Sequence, residues 1–199
     1  MCVGNKQPTL YIFFGLIASG KSTLAAAWAA RQGLPYYNTD IIRKELTHSA
    51  PDAAKKAAFE TGIYTREFTS RTYETMFKRA AADLAGGVSV VLDGSFQSPA
   101  DRDEVKRLAE SLDAAHVFVL CTCLEAEMKR RMEIRAKDPA TISDGRWEIY
   151  EQQKARFHAP TELSSQELVQ IDTMEPVESL VKKLQKLLKD CISESVTGK

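Results

Sequence analysis

The sequence predicts an α/β fold built on an open, parallel β-sheet with helices on both faces. Short apolar runs alternate with segments of helical period along the 199 residues, and several of the runs have no polar alternation. Continuous apolar runs are typical of parallel strands that helices cover on both sides. Alternation of strands and helices is the pattern of open sheets that bind ligands at the carboxyl ends of their strands.

Five apolar runs are the candidate strands. They are Thr9–Phe14, Pro35–Asn38, Val88–Asp93, His116–Cys121 and Leu168–Asp172. The first run follows Lys6 and precedes small residues. A secretory signal peptide has the same order of a basic residue, an apolar stretch and small residues. We expect it to be retained as a strand, because the motif that follows it requires a strand at this position.

The helices between these strands carry start and stop signals. The Ala-rich segment Ser22–Gln32 is followed by Gly33, which is typical of a helix C-terminus. Ser98-Pro99-Ala100-Asp101 predicts a capped helix start. A long helix is predicted over Thr65–Ala85. Apolar stripes at helical spacing mark two further faces: Val105, Leu108, Ala109 and Leu112, and then Val177, Leu180, Val181, Leu184, Leu187, Leu188 and Cys191.

Composition excludes several classes of protein. Lys and Arg number 27, Asp and Glu number 27, and the formal net charge is zero. This balance removes the strongest electrostatic reason to expect binding to long nucleic acids or membrane surfaces. No apolar run approaches the ~20 residues of a membrane helix. We therefore expect one cytoplasmic domain over residues 1–199, with neither a repeat nor a linker dividing it.

The cysteines do not indicate a zinc site or a disulfide framework. The chain has four, and none are spaced as C-x-x-C. Cys121 and Cys123 follow an apolar run, so we interpret them as the end of a buried strand.

The segment Gly15-Leu-Ile-Ala-Ser-Gly-Lys21-Ser22 fits the phosphate-binding pattern G-x-x-x-x-G-K-[ST]. It follows an apolar strand and opens a helix, which is the context that the motif requires. Glycines allow the backbone N–H groups to approach a polyphosphate, Lys21 reaches the β- and γ-phosphates, and the Ser22 hydroxyl can bind magnesium. The alternative is a simple glycine turn, which needs neither the lysine nor the serine.

Carboxylates follow two other candidate strands. Asp40 lies where the second strand gives way to a helix, and beside a phosphate loop it can accept the proton of an attacking hydroxyl. Arg43, one turn later, could hold the acceptor. The alternative is that Thr39 or Asp40 merely caps the helix. Asp93 ends the third strand as a Walker-B-like carboxylate does, which helps to hold magnesium directly or through water.

Arg131 and Arg135 stand four residues apart in a predicted helix that begins near Glu125. Like charges at this spacing repel unless an anion lies between them. The following segment has no clear apolar period. These features predict a lid over residues 125–157 whose arginines close over phosphates. The alternative is a solvated face on which Glu127 pairs with Arg131.

Together these stretches resemble the P-loop predicted kinases (AAA-domain ATP-binding proteins), which are related to polynucleotide kinase, zeta toxins and gluconate kinases. The matching stretches are Gly15–Ser22, Asp40–Arg43, Gly62–Tyr64, Val90–Phe96 with Asp101-Arg102, and Val169–Pro176. Gly94 and Ser95 depart from the more usual Ala-Thr. The resemblance implies a three-layer αβα sandwich with a five-stranded parallel sheet in the order 2-3-1-4-5 and a helical lid.

The resemblance also implies roles for individual residues. Asp40 would be the general base, with Lys21, Arg131 and Arg135 completing the catalytic set, and Ser22 and Asp93 would hold Mg²⁺. Substrate would contact Asp40, Arg43, Asp93 and Arg102. The nucleotide base would lie near Asp172–Pro176. Nucleotide would be bound by Gly15, Ala18, Ser19, Gly20, Lys21, Ser22, Thr23, Arg131 and Thr173.

The function predicted from these residues is an ATP- and magnesium-dependent phosphotransferase that acts on a hydroxyl. A cap over residues 47–64 could cover the acceptor; an ordinary surface helix there is the alternative. Three acceptor classes stay open: a small metabolite or antibiotic, a nucleoside or nucleotide, and a polynucleotide 5′-hydroxyl. The rival functions are an ATP-hydrolysing switch and a protein that binds nucleotide without turnover, whereas the missing N-K-x-D signature counts against a GTPase.

Overall fold

A computed structural model describes residues 7–49, 66–137 and 147–197 of the chain. The described residues form one five-stranded sheet in the order β2-β3-β1-β4-β5. All neighbouring strands are parallel. The strands are β1 (Thr9–Phe14), β2 (Tyr36–Asn38), β3 (Val90–Asp93), β4 (Ala115–Thr122) and β5 (Leu168–Asp172). This topology confirms the predicted fold class and strand order.

Helices cover both faces of this sheet and complete three layers. They are α1 (Lys21–Gln32), α2 (Thr39–Ser49), α3 (Arg66–Ala85), α4 (Pro99–Ser111), α5 (Glu125–Ala136), α6 (Trp147–Arg156) and α7 (Val177–Thr197). On one face, Trp28 of α1 and Leu184 of α7 share a buried cluster with the strands. On the other, Met76 of α3 and Val105 of α4 do the same. Burial of these two apolar faces is the main force that holds the layers together.

Strand boundaries follow the apolar runs closely. β1 and β5 have the predicted bounds, and β4 extends one residue further at each end. β3 begins at Val90 rather than Val88, because the Val88 N–H bonds to the Asp83 carbonyl at 2.9 Å and so belongs to the end of α3. The signal-peptide-like run is β1, which lies at the centre of the sheet between β3 and β4.

Two helix termini have the predicted chemistry. Gly33 ends α1 with φ of 65°, and the next N–H, of Leu34, bonds to the Ala29 carbonyl at 3.0 Å. At the start of α4, Ser98 Oγ accepts the Asp101 N–H at 3.2 Å, and the Asp101 carboxylate accepts the Ser98 N–H at 3.0 Å. This reciprocal capping box satisfies backbone donors that a helix start leaves unpaired.

Parts of the lid and cap predictions fall outside the described residues. The predicted lid contains α5 and α6, and its residues 138–146 lie outside them. Within the predicted cap, α2 continues to Ser49 and the remaining positions are not described; the same holds for Gly62–Tyr64. No helix in the described ranges is long and apolar enough to span a membrane.

Candidate active site

The loop between β1 and α1 is built on two glycines that no other residue could replace without movement. Gly15 has φ of 137°, and a Cβ there would lie 2.5 Å from the Cys121 carbonyl oxygen. Gly20 has φ of 84°, and its Cβ would lie 2.7 Å from Thr173 Oγ1. Ala18 also takes a positive φ, of 61°. The loop is therefore a tight, compressed turn that leads directly into α1, whose first residue is Lys21.

The loop after β5 contacts this turn through hydrogen bonds. Thr173 is buried, and its hydroxyl donates to the Ser19 carbonyl at 2.6 Å. Arg131 of α5 donates to Thr173 Oγ1 at 3.1 Å, to the Thr173 carbonyl at 2.7 Å and to the Ala18 carbonyl at 3.4 Å. Its Nε bonds to Glu127 at 2.9 Å. The expected alternative pair with Glu127 thus exists, but Arg131 is not on a solvated face, because it also clamps the phosphate loop.

Arg135 points elsewhere. It lines a cleft of about 1340 Å³ together with Lys21, Ser22 and Asp40. Burial, and then the nearby Arg131, lower the pKa of Arg135 from its usual value, while Asp40 opposes this shift. A partly desolvated cation beside a phosphate loop is stabilised by an anion placed in the cleft. Arg131 and Arg135, whose roles the sequence did not separate, therefore have different surroundings.

The same cleft extends from the phosphate loop to the N-terminal halves of α3 and α4. Besides the residues above, its walls include Asn38, Thr39, Arg43, Tyr73, Ser95 and Gln153. Gln153 of α6 accepts the Ile17 N–H of the phosphate loop at 2.8 Å, so α6 also contacts the loop. Sequence reasoning did not find Gln153 or Tyr73, because nothing local marks them: tertiary packing alone brings them to this edge.

Asp40 is oriented into this cleft by its neighbours. Arg43 Nη1 donates to Asp40 Oδ1 at 2.9 Å, and the Asp40 side chain is 34% exposed while that of Arg43 is 9% exposed. The cap of α2 is Asn38, whose Oδ1 accepts the N–H groups of Asp40 and Ile41 at 2.9 and 3.0 Å. The alternative that Thr39 or Asp40 caps the helix is therefore wrong. Since Asn38 meets the backbone donors, the Asp40 carboxylate is left for other chemistry.

Asp93 ends β3 beside the phosphate loop, because it pairs with Phe13 in the sheet. It is fully buried, and Oδ2 accepts hydrogen bonds from the Tyr36 hydroxyl at 2.6 Å and from Asn38 Nδ2 at 2.5 Å. Burial, and then Asp93, raise the pKa of Tyr36, so this hydroxyl stays a donor. Asn38 was missed as a site residue, although asparagine before a helix is a recognised cap signal.

The donor set fits a magnesium ion. The other oxygen of Asp93, Oδ1, is buried and has no hydrogen-bond partner among the described residues. An orphaned carboxylate oxygen costs free energy unless a cation or water meets it. Ser22 supplies a hydroxyl on the cleft wall, and hard oxygen ligands with water are what Mg²⁺ prefers. In the described ranges, no group of three or more His, Cys, Asp or Glu residues forms a separate metal site.

Several predicted site residues do not line the cleft: Gly15, Ser19, Gly20, Thr23, Asp93, Arg102, Arg131 and Thr173. Arg102 is fully buried: its Nη1 donates to the Phe96 carbonyl at 2.8 Å, its Nε pairs with Glu162, and its guanidinium lies 5.7 Å from the centre of the Phe14 ring. Thr23 is exposed on α1 and directly follows Ser22, which lines the cleft. Ser19 is 2% exposed, within the phosphate turn. Cys121 is buried at the end of β4, as expected, and Cys123 is half-buried beyond it.

The sheet order, the compressed glycine turn before α1 and the lysine and carboxylates around one cleft define a P-loop NTPase fold. The comparison with protein families agrees with this class. A family model described as an AAA domain (AAA_33) matches residues 10–160. The chain belongs to this family, which confirms the resemblance found in the sequence.

Curated relatives add little about activity. The chain is 30% identical over 118 residues to the uncharacterized protein Mb2027c of Mycobacterium bovis, and equally to an uncharacterized protein of Mycobacterium tuberculosis strain H37Rv. The matched region is 59% of this chain and 24% of each relative. The chain thus spans about a quarter of the length of the relatives it matches.

Solved structures with the same fold include several kinases. A gluconokinase from Sinorhizobium meliloti 1021 matches with a TM-score of 0.67 and 18% identity, covering 97% of this chain and 98% of that one. The Mycobacterium tuberculosis APS kinase CysC, solved with AMPPNP and APS, matches with a TM-score of 0.64 and 15% identity, covering 92% and 98%. At these identities the likeness shows the fold alone.

Proposed function

We propose that this protein is a magnesium-dependent kinase that moves the γ-phosphate of ATP to a hydroxyl of an acceptor. One observation carries the proposal: Lys21, Ser22 and Arg135 share a single cleft with Asp40. The first three suit the phosphates of a donor, and Asp40 suits an attacking hydroxyl.

The chemistry follows from these positions. Asp40 accepts the hydroxyl proton as the acceptor oxygen attacks the γ-phosphorus, and the bond to the ADP oxygen breaks. Arg43, at 2.9 Å from Asp40, keeps that carboxylate oriented. Lys21 and Arg135 stabilise the negative charge that spreads over the transferring group. When bound by Ser22 and Asp93, magnesium supplies further neutralisation of the phosphate oxygens.

Buried residues around the cleft would set its shape. We propose that Arg102 acts as a positioning residue, because it ties the loop after β3, through the Phe96 carbonyl, to Glu162 before β5. Arg131 would hold the phosphate turn against Thr173. Positioning of this kind supplies much of the catalysis in phosphoryl transfer, since few reactive groups are needed.

The test is transfer of radiolabel from γ-labelled ATP over sugars, nucleosides, aminoglycosides and 5′-hydroxyl oligonucleotides. We expect a labelled product with the wild type and none with Lys21→Ala. Asp40→Asn should lower kcat by at least ~10²-fold while ATP still binds. Asp103→Asn is the matched control, since Asp103 pairs with Arg107 on the exposed face of α4. Undiminished transfer in Asp40→Asn would refute the base, and slow hydrolysis alone across the panel would favour the switch.

A further inference from the structure

We infer that the acceptor is a small polyol that carries a protonated amine. The inference rests on the proposed function and adds the chemical class of the acceptor to it. Its basis is the uneven distribution of charge along the cleft, together with the hydroxyl of Thr39, a largely buried residue next to Asp40 on the cleft wall, which has no partner among the described residues.

Carboxylates line the acceptor half of the cleft. Glu74 comes from α3, and Asp101 and Glu104 come from the first turns of α4. None of them forms an ion pair within the described part of the chain; Asp101 caps its own helix through the Ser98 N–H. A low-dielectric cleft lined with one sign of charge concentrates ligands of the opposite sign.

Cations of the cleft lie mainly at the donor half. Lys21 belongs to the phosphate turn, and Arg135 belongs to the lid helix above it. Arg43 is paired with Asp40 at 2.9 Å, so this pair adds little net charge. Arg156, at the end of α6, is the remaining cation among the described wall residues. One cation against three carboxylates leaves the acceptor half negative, which repels phosphate- and carboxylate-bearing acceptors and attracts an ammonium group.

The floor between the two halves is rich in hydroxyls. Thr39 is 8% exposed, yet it lines the cleft, and its hydroxyl bonds to no other described residue. The Gly94 backbone lies close to the Thr39 methyl group, since a Cβ added on Gly94 would lie 3.1 Å from Thr39 Cγ2. The Tyr73 hydroxyl lies 3.3 Å from Ser95 Oγ, and burial raises its pKa. Neutral hydroxyls that both donate and accept suit the hydroxyls of a polyol.

The negative charge and the hydroxyls of the cleft together suit an acceptor that carries both hydroxyls and an ammonium group. A hydroxyl of the acceptor placed at Asp40 would bring neighbouring hydroxyls to Thr39, Tyr73 and Ser95, with the ammonium towards Glu74 and Glu104. A polynucleotide would place its own phosphates against these carboxylates. The described charges therefore disfavour the polynucleotide and nucleotide acceptors that the sequence left open.

Fractions sorted by charge test the inference while the acceptor itself is still unidentified. A small-molecule extract of bacterial cells is separated at pH 7 into cation-exchange-retained, unretained and anion-exchange-retained fractions, and each is incubated with γ-labelled ATP and the protein. We expect labelled product from the cationic fraction. Product only from the neutral or anionic fraction would overturn the inference and leave the kinase standing. No labelled product from any fraction would instead contradict the proposed function.

Variants that remove single negative charges then test which carboxylates bind the acceptor. With the active fraction, Glu74→Gln and Glu104→Gln should each raise the KM for the acceptor about tenfold, with kcat within about twofold and the KM for ATP unchanged. Glu110→Gln is the matched control, because Glu110 is exposed on the same helix and outside the cleft wall. An unchanged acceptor KM in both cleft variants would overturn the assignment.

Discussion

At the scale of single residues, Asn38 links two parts of the candidate site. Its amide nitrogen donates to Asp93 at 2.5 Å, while its amide oxygen accepts two N–H groups at the start of α2. One side chain thus connects the carboxylate proposed to hold magnesium with the helix that carries Asp40. The separation between the two functional carboxylates depends on this bridge.

Asn38→Ala should remove both connections at once. We expect a loss of about 1–3 kcal/mol in the free energy of unfolding, from the lost cap and the lost hydrogen bond to the buried Asp93 carboxylate. Urea unfolding measures this loss. Phosphate transfer should fall by more than the loss of folded protein explains, and a higher magnesium concentration should be needed for half-maximal transfer. Asn38→Ser restores the cap alone, so its stability should recover while the magnesium requirement stays high. Equal magnesium requirements in all three proteins would contradict a bridging role.

At the scale of elements, α5 presents two arginines with different tasks. Arg131 is bound by Glu127, Thr173 and the Ala18 carbonyl, whereas Arg135 faces the cleft. A helical spacing of four residues places both on neighbouring positions of one face. Only the packing of α5 against the phosphate loop separates a structural clamp from a group available to phosphate.

Exchanging each lid arginine should separate these tasks. Arg135→Ala should lower kcat by about 10²–10³-fold, because it removes a donor to the transition-state charge, with little change in the melting temperature. Arg131→Ala should instead lower the melting temperature and raise the KM for ATP, since the phosphate turn loses its clamp. Arg130→Ala, an exposed neighbour that contacts Glu127 alone, is the control. The reverse pattern would refute the assignment.

The close packing of Gly20 against the loop after β5 allows a second prediction at the scale of elements. Gly20→Ala would place a methyl 2.7 Å from Thr173 Oγ1 and 2.9 Å from Thr173 Cβ, so the loop must move. We expect a loss of stability of more than about 2 kcal/mol and loss of ATP binding, measured by calorimetry. Gly33→Ala shares the positive φ but meets nothing within 4 Å. It should cost about 1 kcal/mol and leave ATP binding intact. Equal effects of the two changes would contradict the steric argument.

At the scale of the whole molecule, Glu167 joins three parts of the fold. It pairs with Lys106 of α4, lies 3.2 Å from His116 of β4 and accepts the Ser164 N–H at 2.9 Å in the turn before β5. Burial would raise the pKa of Glu167, but the hydrogen bonds from Lys106, Ser164 and His116 lower it to about 2. A carboxylate whose pKa falls on folding stabilises the fold while it is ionised in both states.

Glu167→Gln should therefore cost stability in a pH-dependent way. Above about pH 5 we expect a loss of about 1–3 kcal/mol, because hydrogen bonds to a charged group are lost. The difference from wild type should shrink as the pH falls from about 4.5, the usual value, towards the folded value of about 2. Unfolding curves across this range measure it, with exposed Glu133→Gln as control. A difference that persists at pH 2 would contradict the ionic origin.

The sequence predicted the sheet almost completely because strands that helices cover on both faces are nearly continuous apolar runs. β1 and β5 were placed to the residue, and Gly15, Lys21 and Asp40 were predicted as site residues because phosphate chemistry needs those residue types at that spacing. The start of β3 was misplaced, since Val88 is as apolar as its neighbours but bonds to the end of α3. Arg102 was recognised by its motif, whereas its burial is a property of packing.

Local patterns could therefore be predicted from the chain alone: which runs form strands, which turn fits the phosphate-binding pattern and which carboxylates follow strands. The division of roles among these groups came from packing. Asn38 rather than Asp40 caps α2, Arg131 clamps while Arg135 faces the cleft, and Glu74 and Glu104 line the acceptor half. Local sequence constrains each backbone segment, but distances between segments depend on packing across the whole sheet.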